Sequence, residues 1–210
     1  MCIPEMIGTR RSNNLKLVGI TGGVGAGKTS VLSYIEMNCN CRIIRADELA
    51  NDLKKKGQIC YEPLVKLLGR DVLGTDGEID KKRMAEQIFK EQALLEKINA
   101  IIHPAVKETL LKEIEVEREK NEIPFFFIEA ALLIEDGYAK IVDELWYIYA
   151  SEETRRERLK ETRGYSDEKI TAIMQSQLGD KEFRKYCKEI IENDGDFEKT
   201  KKSIDVLLRK

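Results

Sequence analysis

The residues with the clearest chemical meaning form a glycine-rich stretch near the start of the chain. Residues 22–29 fit the pattern G-x-x-x-x-G-K-[ST] directly after the apolar run 15–20. A strand that turns through glycines into a helix points several backbone N–H groups and the positive end of the helix dipole at one small concavity. We therefore predict a phosphate site in which Lys28 reaches the β and γ phosphates of a bound triphosphate and the Thr29 hydroxyl ligates Mg²⁺. The residues predicted to form this site are Gly22, Gly23, Val24, Gly25, Ala26, Gly27, Lys28 and Thr29.

Two acidic residues follow apolar runs that we predict to be strands. Asp47 comes shortly after the isoleucine pair at 43–44, and Glu129 directly follows the run Phe-Phe-Phe-Ile at 125–128. Open α/β sheets bind ligands at the carboxyl ends of their strands, so both carboxylates are expected near the glycine-rich loop. Asp47 can accept a proton from an attacking hydroxyl or help to hold Mg²⁺, or it can cap the helix that begins there. Glu129 can either orient a group that ligates Mg²⁺ or hydrogen-bond an acceptor.

Four arginines lie between residues 155 and 163, just before Gly164. The order helix, glycine, helix over residues 154–177 predicts a mobile lid. Arginines on a closing lid can stabilise the charge on a phosphoryl group during its transfer. Arg163, beside the glycine, is the first candidate for this role and Arg158 the second. A charged helix face turned to solvent is the structural alternative.

Along the chain, short apolar runs rich in strand-forming residues alternate with longer charged segments whose apolar residues recur with the period of a helix. This alternation is typical of a parallel sheet covered by helices on both faces. Strands are predicted at residues 16–21, 41–46, 124–129, 145–149 and 189–192. Helices are predicted at residues 28–37, 47–55, 61–68, 81–89, 92–120, 152–162, 166–177 and 197–208. Residues 61–120 carry no strand signal and are predicted to form a helical insertion that can hold a second substrate. It contains the single histidine, His103, ahead of Pro104 at an expected break in a long helical stretch.

Length and composition favour one α/β domain of residues 15–210, preceded by a flexible extension of residues 1–14. The 210 residues are 35% charged but carry a net charge of only −2, so no general surface for nucleic acid is indicated. Five cysteines without a C-x-x-C pair favour reduced thiols in a cytosol. No stretch approaches the about 18 apolar residues of a membrane span, and residues 1–14 lack the apolar segment of a signal peptide. We predict a cytoplasmic protein that does not bind membranes.

An ordered set of motifs resembles the dephospho-CoA kinase family over nearly the whole chain. The set consists of Gly-Ile-Thr-Gly-Gly-Val-Gly-Ala-Gly-Lys-Thr at 19–29, Ala-Asp at 46–47, Ile-Asp at 79–80, His-Pro at 103–104, Leu-Leu-Ile-Glu at 132–135, Arg-Gly at 163–164 and Ile-Glu-Asn-Asp-Gly at 191–195. The glycine-rich loop alone is common to many unrelated nucleotide-binding proteins. The ordered set is much more specific.

The resemblance implies a P-loop NTPase fold with a five-stranded parallel sheet, a helical CoA-binding insertion and a helical lid. It implies a kinase that uses ATP and Mg²⁺ to phosphorylate the ribose 3′-hydroxyl of dephospho-CoA, giving CoA and ADP in the last step of coenzyme A biosynthesis. Asp47 is then the general base. The residues expected to be catalytic are Asp47, Lys28 and Arg163, and those expected on the acceptor side are His103, Glu135 and Lys81.

The chain departs from the family pattern at a few positions and leaves two alternatives open. Arg45 stands where the family commonly has a first aspartate, Lys81 replaces an arginine, and Glu-Ala-Ala at 129–131 replaces the residues that lead into Pro-Leu-Leu. One alternative is another P-loop kinase acting on a nucleoside or nucleotide. The other is a nucleotide-binding regulatory switch, although the guanine-reading motif Asn-Lys-x-Asp is missing from the sequence. We expect a monomer or a weak homo-oligomer.

Overall fold

A computed structural model describes residues 15–130, 133–134 and 137–209. Within these residues the chain forms a five-stranded sheet in which every neighbouring pair is parallel, in the order β2-β3-β1-β4-β5. The predicted extension 1–14 and the predicted acceptor residue Glu135 lie outside the described residues. The fold class predicted from the alternation of strands and helices is confirmed.

The strands and helices follow the predicted pattern closely. The strands are β1 (Lys16–Thr21), β2 (Cys41–Arg45), β3 (Phe125–Glu129), β4 (Glu144–Tyr149) and β5 (Glu189–Glu192). The helices are α1 (Lys28–Asn38), α2 (Ala46–Leu53), α3 (Tyr61–Leu68), α4 (Lys81–Lys90), α5 (Ala93–Lys120), α6 (Glu152–Arg163), α7 (Asp167–Gln175), α8 (Asp180–Tyr186) and α9 (Phe197–Leu208).

Two apolar cores lie on the two faces of the sheet because successive strand residues point in opposite directions. Val18 and Ile20 of β1 face one core, which α1 and α9 cover through residues such as Leu32 and Ile204. Leu17 of β1 faces the other core, which is covered by α2, α3, α5 and α8. β1 and β3, at the centre of the sheet, are apolar along almost their whole length, as expected for parallel strands buried on both faces.

The segment between β2 and β3 forms α2 and then α3, α4 and α5. The long helix α5 packs against α2, α3 and α4 and therefore ties this segment to the sheet. An antiparallel bridge between Leu73 and Ile79 closes the turn before α4. The predicted break at Pro104 is wrong, since α5 continues through this residue.

Helices α6, α7 and α8 lie between β4 and β5, and the first two of them meet at Gly164. Ser151 caps α6 by accepting a hydrogen bond from the backbone N–H of Thr154, and Ser166 caps α7 in the same way. Gly164 ends α6 with φ of 60°, a left-handed conformation that favours glycine. No helix among the described residues has both the length and the apolar composition needed to span a membrane.

Candidate active site

The loop of residues 22–29, called the phosphate loop below, joins the carboxyl end of β1 to the amino end of α1. Gly25 and Gly27 have φ of 79° and 88°, so the turn needs residues without a Cβ at both positions. Gly27 is also the N-cap of α1, which begins at Lys28. The unpaired N–H groups and the positive dipole end of α1 therefore lie at this loop, as phosphate binding requires.

Lys28 lies within the phosphate loop and is largely buried. Its ammonium donates a hydrogen bond of 2.8 Å to the carbonyl oxygen of Gly22 and lies 3.9 Å from a carboxylate oxygen of Glu129. Burial lowers the pKa of Lys28; the charge of Glu129 opposes this, whereas Arg155 lowers the pKa further and Arg163 adds a smaller effect in the same direction. Several cations crowded into a partly buried site favour the binding of an anion.

Glu129 connects the phosphate loop to the start of α2 because its strand, β3, lies between β1 and β2. In the register of the sheet it is aligned with Ile20 on one side and Arg45 on the other. Burial raises the pKa of Glu129, and the charge of Lys28 opposes that shift. The sheet order therefore brings together two of the predicted site residues that are 101 positions apart in sequence (129 minus 28).

Asp47 lies in the first turn of α2 and is exposed. The helix begins at Ala46 with Arg45 as its N-cap, so the alternative that Asp47 caps the helix is wrong. Its negative charge acts on Lys28 on one side and on Lys54 on the other. Because the side chain is exposed, it is accessible to a substrate.

The four arginines of α6 differ in what they contact. Arg155 donates to the carbonyl oxygen of Val24 at 2.9 Å. Arg156 joins α6 to α7 through Thr171 at 3.0 Å. Arg163 is exposed at the end of α6, with its guanidinium 5.9 Å from the centre of the Tyr165 ring.

Arg158, the second sequence candidate, supports the backbone of the site. It donates to the carbonyl oxygen of Asn193 at 2.8 Å and to that of Ala26 at 3.4 Å. These contacts use donors of Arg158 for protein carbonyl groups, whereas the exposed position of Arg163 leaves its guanidinium accessible to a nucleotide. Arg163 therefore remains the better candidate for contact with a phosphoryl group.

Asn193, at the carboxyl end of β5, is a site residue to which the sequence interpretation gave no role. Its side-chain amide donates to the carbonyl oxygen of Ala26 at 2.7 Å, and its side-chain oxygen accepts a hydrogen bond of 3.2 Å from Thr200. A Cβ on Gly27 would clash with this amide nitrogen. The position of Asn193 directly after a predicted strand was the signal that could have identified it, as it did for Asp47.

A cavity of about 370 Å³ lies between α2 and α4 and is called the lysine cavity below. Its lining residues are Asn51, Lys54, Lys55, Glu78, Ile79, Lys81 and Met84. Burial lowers the pKa of Lys54, the like charge of Lys81 lowers it further, and Asp47 opposes the shift. The sequence interpretation identified Lys81 but missed Lys54, whose position depends on the packing of α2 against the insertion.

The other acceptor residue predicted from the sequence and described in the structure, His103, is exposed on α5. It follows Ile102, which is buried on the face that α5 turns to the core. Since α5 packs against α2, His103 and Asp47 lie on neighbouring helices. This proximity of elements is compatible with a shared substrate.

Known protein families were compared with the chain, and one family matches nearly all of the described fold. A family model described as dephospho-CoA kinase matches residues 16–199. The dephospho-CoA kinase of Dehalococcoides mccartyi is 38% identical over 93% of this chain and 97% of its own length.

Solved structures support the fold. A Thermus thermophilus protein, TT1252, superimposes with a TM-score of 0.77 at 27% identity, covering 92% of this chain and 96% of that one. The dephospho-CoA kinase of Campylobacter jejuni has a TM-score of 0.71 at 20% identity, covering 93% and 96% of the two chains. The sheet and phosphate loop are those of a P-loop NTPase. Since the family match extends from β1 into α9, the chain belongs to the dephospho-CoA kinase family.

Proposed function

We propose that the protein transfers the γ-phosphoryl group of ATP to the ribose 3′-hydroxyl of dephospho-CoA, giving CoA and ADP. The observation that carries the proposal is the position of Asp47, which is exposed in the first turn of α2, directly after the strand that pairs with the strand of Glu129, on the helix that leads into Lys54 of the lysine cavity. A base between a nucleotide site and a second cavity suits transfer between two bound substrates. Family membership supports the choice of acceptor.

The phosphate loop and the lid supply the donor side of this reaction. The triphosphate lies along residues 22–29, with the Lys28 ammonium on the β and γ phosphates. Arg163 approaches the same phosphates from the end of α6, and its charge already acts on Lys28. These cations stabilise the charge that spreads over the equatorial oxygens during transfer.

Mg²⁺ is the metal that the donor groups of this site suit. Among the described residues there is no group of three or more His, Cys, Asp or Glu side chains able to enclose a metal ion. Mg²⁺ needs no such enclosure, since it is commonly held by one or two protein oxygens together with waters and substrate phosphates. We assign the Thr29 hydroxyl as a ligand, with Glu129 oriented towards the ion's other ligands. When bound, the ion neutralises phosphate charge.

The lysine cavity supplies the acceptor side. Lys54 and Lys81 line it together with the apolar side chains of Ile79 and Met84. Ammonium groups suit the diphosphate of dephospho-CoA, and apolar walls suit its uncharged parts. We keep His103 and Glu135 as further acceptor contacts on the strength of the family motifs alone.

The chemical step uses Asp47 as general base. The acceptor oxygen forms a bond to the γ-phosphorus, the bond from that phosphorus to the β–γ bridging oxygen breaks, and the bridging oxygen leaves with ADP. The carboxylate of Asp47 takes the proton of the hydroxyl group. Closure of the lid brings Arg163 to the phosphoryl group and excludes water that would otherwise hydrolyse ATP.

An acceptor comparison tests the function. ADP release is measured with Mg²⁺ and ATP alone, and then with dephospho-CoA, adenosine, uridine or AMP, while mass spectrometry identifies the product. We expect release to depend on dephospho-CoA, with CoA as the product, and to be lost in Lys28→Ala. Phosphorylation of a nucleoside or of AMP instead would favour another P-loop kinase. Slow release independent of every acceptor would favour a regulatory switch.

We further propose that the protein acts in the cytoplasm as a monomer or weak homo-oligomer. The modest net charge and the four free cysteines among the described residues agree with that compartment. Light scattering during size-exclusion chromatography tests the oligomeric state.

A further inference from the structure

Val24, in the middle of the phosphate loop, is held through both of its backbone polar groups by the lid. Its N–H donates a hydrogen bond of 2.9 Å to the side-chain carbonyl oxygen of Gln177. Its carbonyl oxygen accepts a hydrogen bond of 2.9 Å from Nε of Arg155. One loop residue therefore joins two lid side chains that are 22 positions apart in sequence (177 minus 155).

The two side chains that hold Val24 belong to opposite ends of the lid. Arg155 lies in the first turn of α6, whereas Gln177 lies two residues beyond Gln175, the last residue of α7. Gly164, where the two helices meet, is the far end of the same hairpin. The lid is thus attached to the phosphate loop both near its first residue and at its last. The opposite end of the hairpin, which carries Arg163, has no such attachment among the described residues and is free to move.

The contact between Arg155 and the loop is close enough to require glycine. A Cβ on Gly23 would lie 2.5 Å from the guanidinium of Arg155, and a Cβ on Gly25 would lie 2.8 Å from its carbonyl oxygen. These glycines therefore accommodate the base of the lid as well as a phosphate group. Any displacement of the loop is transmitted directly to α6.

We propose that Gln177 is a positioning residue that sets the lid on the phosphate loop, so that Arg163 closes over the phosphoryl group from a fixed base. Arg155 holds the start of the hairpin and Gln177 holds its end. With one attachment lost, the hairpin can pivot about Arg155, and a displacement at its base becomes a larger displacement at Arg163. The kinetic part of this inference rests on the proposed function; the hydrogen bond itself does not.

Removing this hydrogen bond should affect catalysis more than folding. Val24 and Gln177 are only partly buried, so water can replace the lost partner of the Val24 N–H. The effect on turnover is larger because the precision with which a charged group is placed governs its contribution to the rate. A merely structural side chain would instead lower stability and activity together.

Three variants separate these cases. Gln177→Met keeps the length of the side chain but removes the acceptor oxygen, and we expect kcat at saturating ATP to fall about 5- to 10-fold, the rate equivalent of one ordinary hydrogen bond. Gln177→Glu keeps an acceptor oxygen and should hold kcat within about 2-fold, while its charge raises the KM for ATP. Gln175→Met, the same change at an exposed position of α7, should leave both constants unchanged.

Coupling to Arg163 tests how Gln177 acts. In an Arg163→Ala background, Gln177→Met should cause little further loss of kcat, because the group that Gln177 positions is already missing. Full additivity of the two losses would overturn the proposal. An unchanged kcat in Gln177→Met would also overturn it. So would equal losses of kcat in Gln177→Met and Gln177→Glu, if these losses parallel the losses of thermal stability in the two variants.

Hydrogen exchange at the Val24 amide provides a readout that needs no acceptor. In the full-length protein with ATP and Mg²⁺, we expect NMR-detected exchange of this amide to be at least about 5-fold faster in Gln177→Met than in wild type and near wild type in Gln177→Glu. Equal exchange in all three proteins would overturn the attachment. If wild type fails to phosphorylate dephospho-CoA but Val24 behaves as expected, the proposed function fails and the attachment stands.

Discussion

At the scale of single residues, the site combines charges that are costly without a ligand. Burial lowers the pKa of Lys28 and raises that of Glu129, so each side chain is held where its charged form is disfavoured. Their mutual distance of 3.9 Å offsets part of that cost. A polyanion beside Lys28 would offset more, which is why the site favours binding of a triphosphate over an uncharged ligand.

Asp47→Asn isolates the role of the proposed base. The amide keeps the shape of the side chain but cannot take a proton at neutral pH, so we expect kcat to fall about 10²-fold or more. Binding of ATP, measured by calorimetry, should survive because the phosphate loop is untouched. Glu48→Gln, the same change at the next residue of α2, is the control and should retain activity. Unchanged turnover in Asp47→Asn would remove this residue from the mechanism.

Lys54→Met tests whether the lysine cavity holds the acceptor. The side chain is half-buried there, and its ammonium is a suitable partner for a diphosphate. We expect the KM for dephospho-CoA to rise about 10-fold, as for one lost charge-assisted hydrogen bond, with the KM for ATP unchanged. Lys66→Met, at an exposed position of α3, should change neither constant. Equal rises in both KM values would contradict the assignment.

At the scale of secondary structure, the sequence predicted the central strands β1 and β3 well because parallel strands buried on both faces are apolar over almost their whole length. The predictions were wrong at two places where tertiary packing, rather than local sequence, determines the helices. Pro104 should interrupt a helix, but buried residues at Ile102 and Val106 on either side of it keep α5 continuous against the core. The short helix α8 was missed because its one buried residue, Phe183, gives no periodic signal.

The candidate site was predictable only where a local pattern identified it. The phosphate loop and the acids at strand ends follow from spacing and from the edge of the sheet at which ligands bind. Lys54 and Gln177 carry no such pattern. Their roles depend on the packing of α2 against the insertion and of the lid against the phosphate loop, which are contacts between segments distant in sequence.

Asp80→Ala tests whether the start of α4 orders the lysine cavity. Asp80 caps this helix by accepting hydrogen bonds from the backbone N–H groups of Lys82 and Arg83 at 2.8 and 3.0 Å. The same turn carries Lys81 into the cavity. We expect a loss of a few degrees in Tm and a rise of about 3- to 10-fold in the KM for dephospho-CoA, with the KM for ATP unchanged.

A second capping aspartate provides the control for this variant. Asp196 caps α9 on the opposite face of the sheet by accepting from the N–H of Glu198 at 3.0 Å. Asp196→Ala should cause a comparable loss in Tm without changing either KM. Parallel changes in KM in both variants would mean that the effect of Asp80→Ala is a general loss of stability.

At the scale of the whole molecule, the charged side chains at the two ends of the sheet are arranged differently. At the carboxyl ends, cations crowd around the phosphate loop. At the amino ends, the buried carboxylate of Glu144 is fully paired: its two oxygens lie 2.9 Å from the ammonium groups of Lys16 and Lys188, and Trp146 donates to it at 2.8 Å. The first arrangement favours ligand binding, whereas the second stabilises the fold.

The pairing of Glu144 makes stability depend on pH. Burial raises the pKa of this carboxyl, but the hydrogen bonds from Lys16, Lys188 and Trp146 outweigh burial and lower the pKa from 4.5 to about 2. A group with a lowered folded-state pKa stabilises the protein above its unfolded-state pKa and loses that contribution as the pH falls towards the folded-state value. The window is therefore pH 4.5 down to about 2.

Glu144→Gln should therefore destabilise the protein at neutral pH and much less in acid. At pH 7 we expect the free energy of unfolding, from urea titration, to fall by on the order of 3 kcal/mol, and the difference from wild type to shrink to about half by pH 3. Glu119→Gln, at an exposed position of α5, should have no such effect. Because Glu144 lies at the end of the sheet opposite the phosphate loop, kcat of the folded variant should equal that of wild type. A loss of stability that is the same at both pH values would mean that shape, and not charge, gives Glu144 its role.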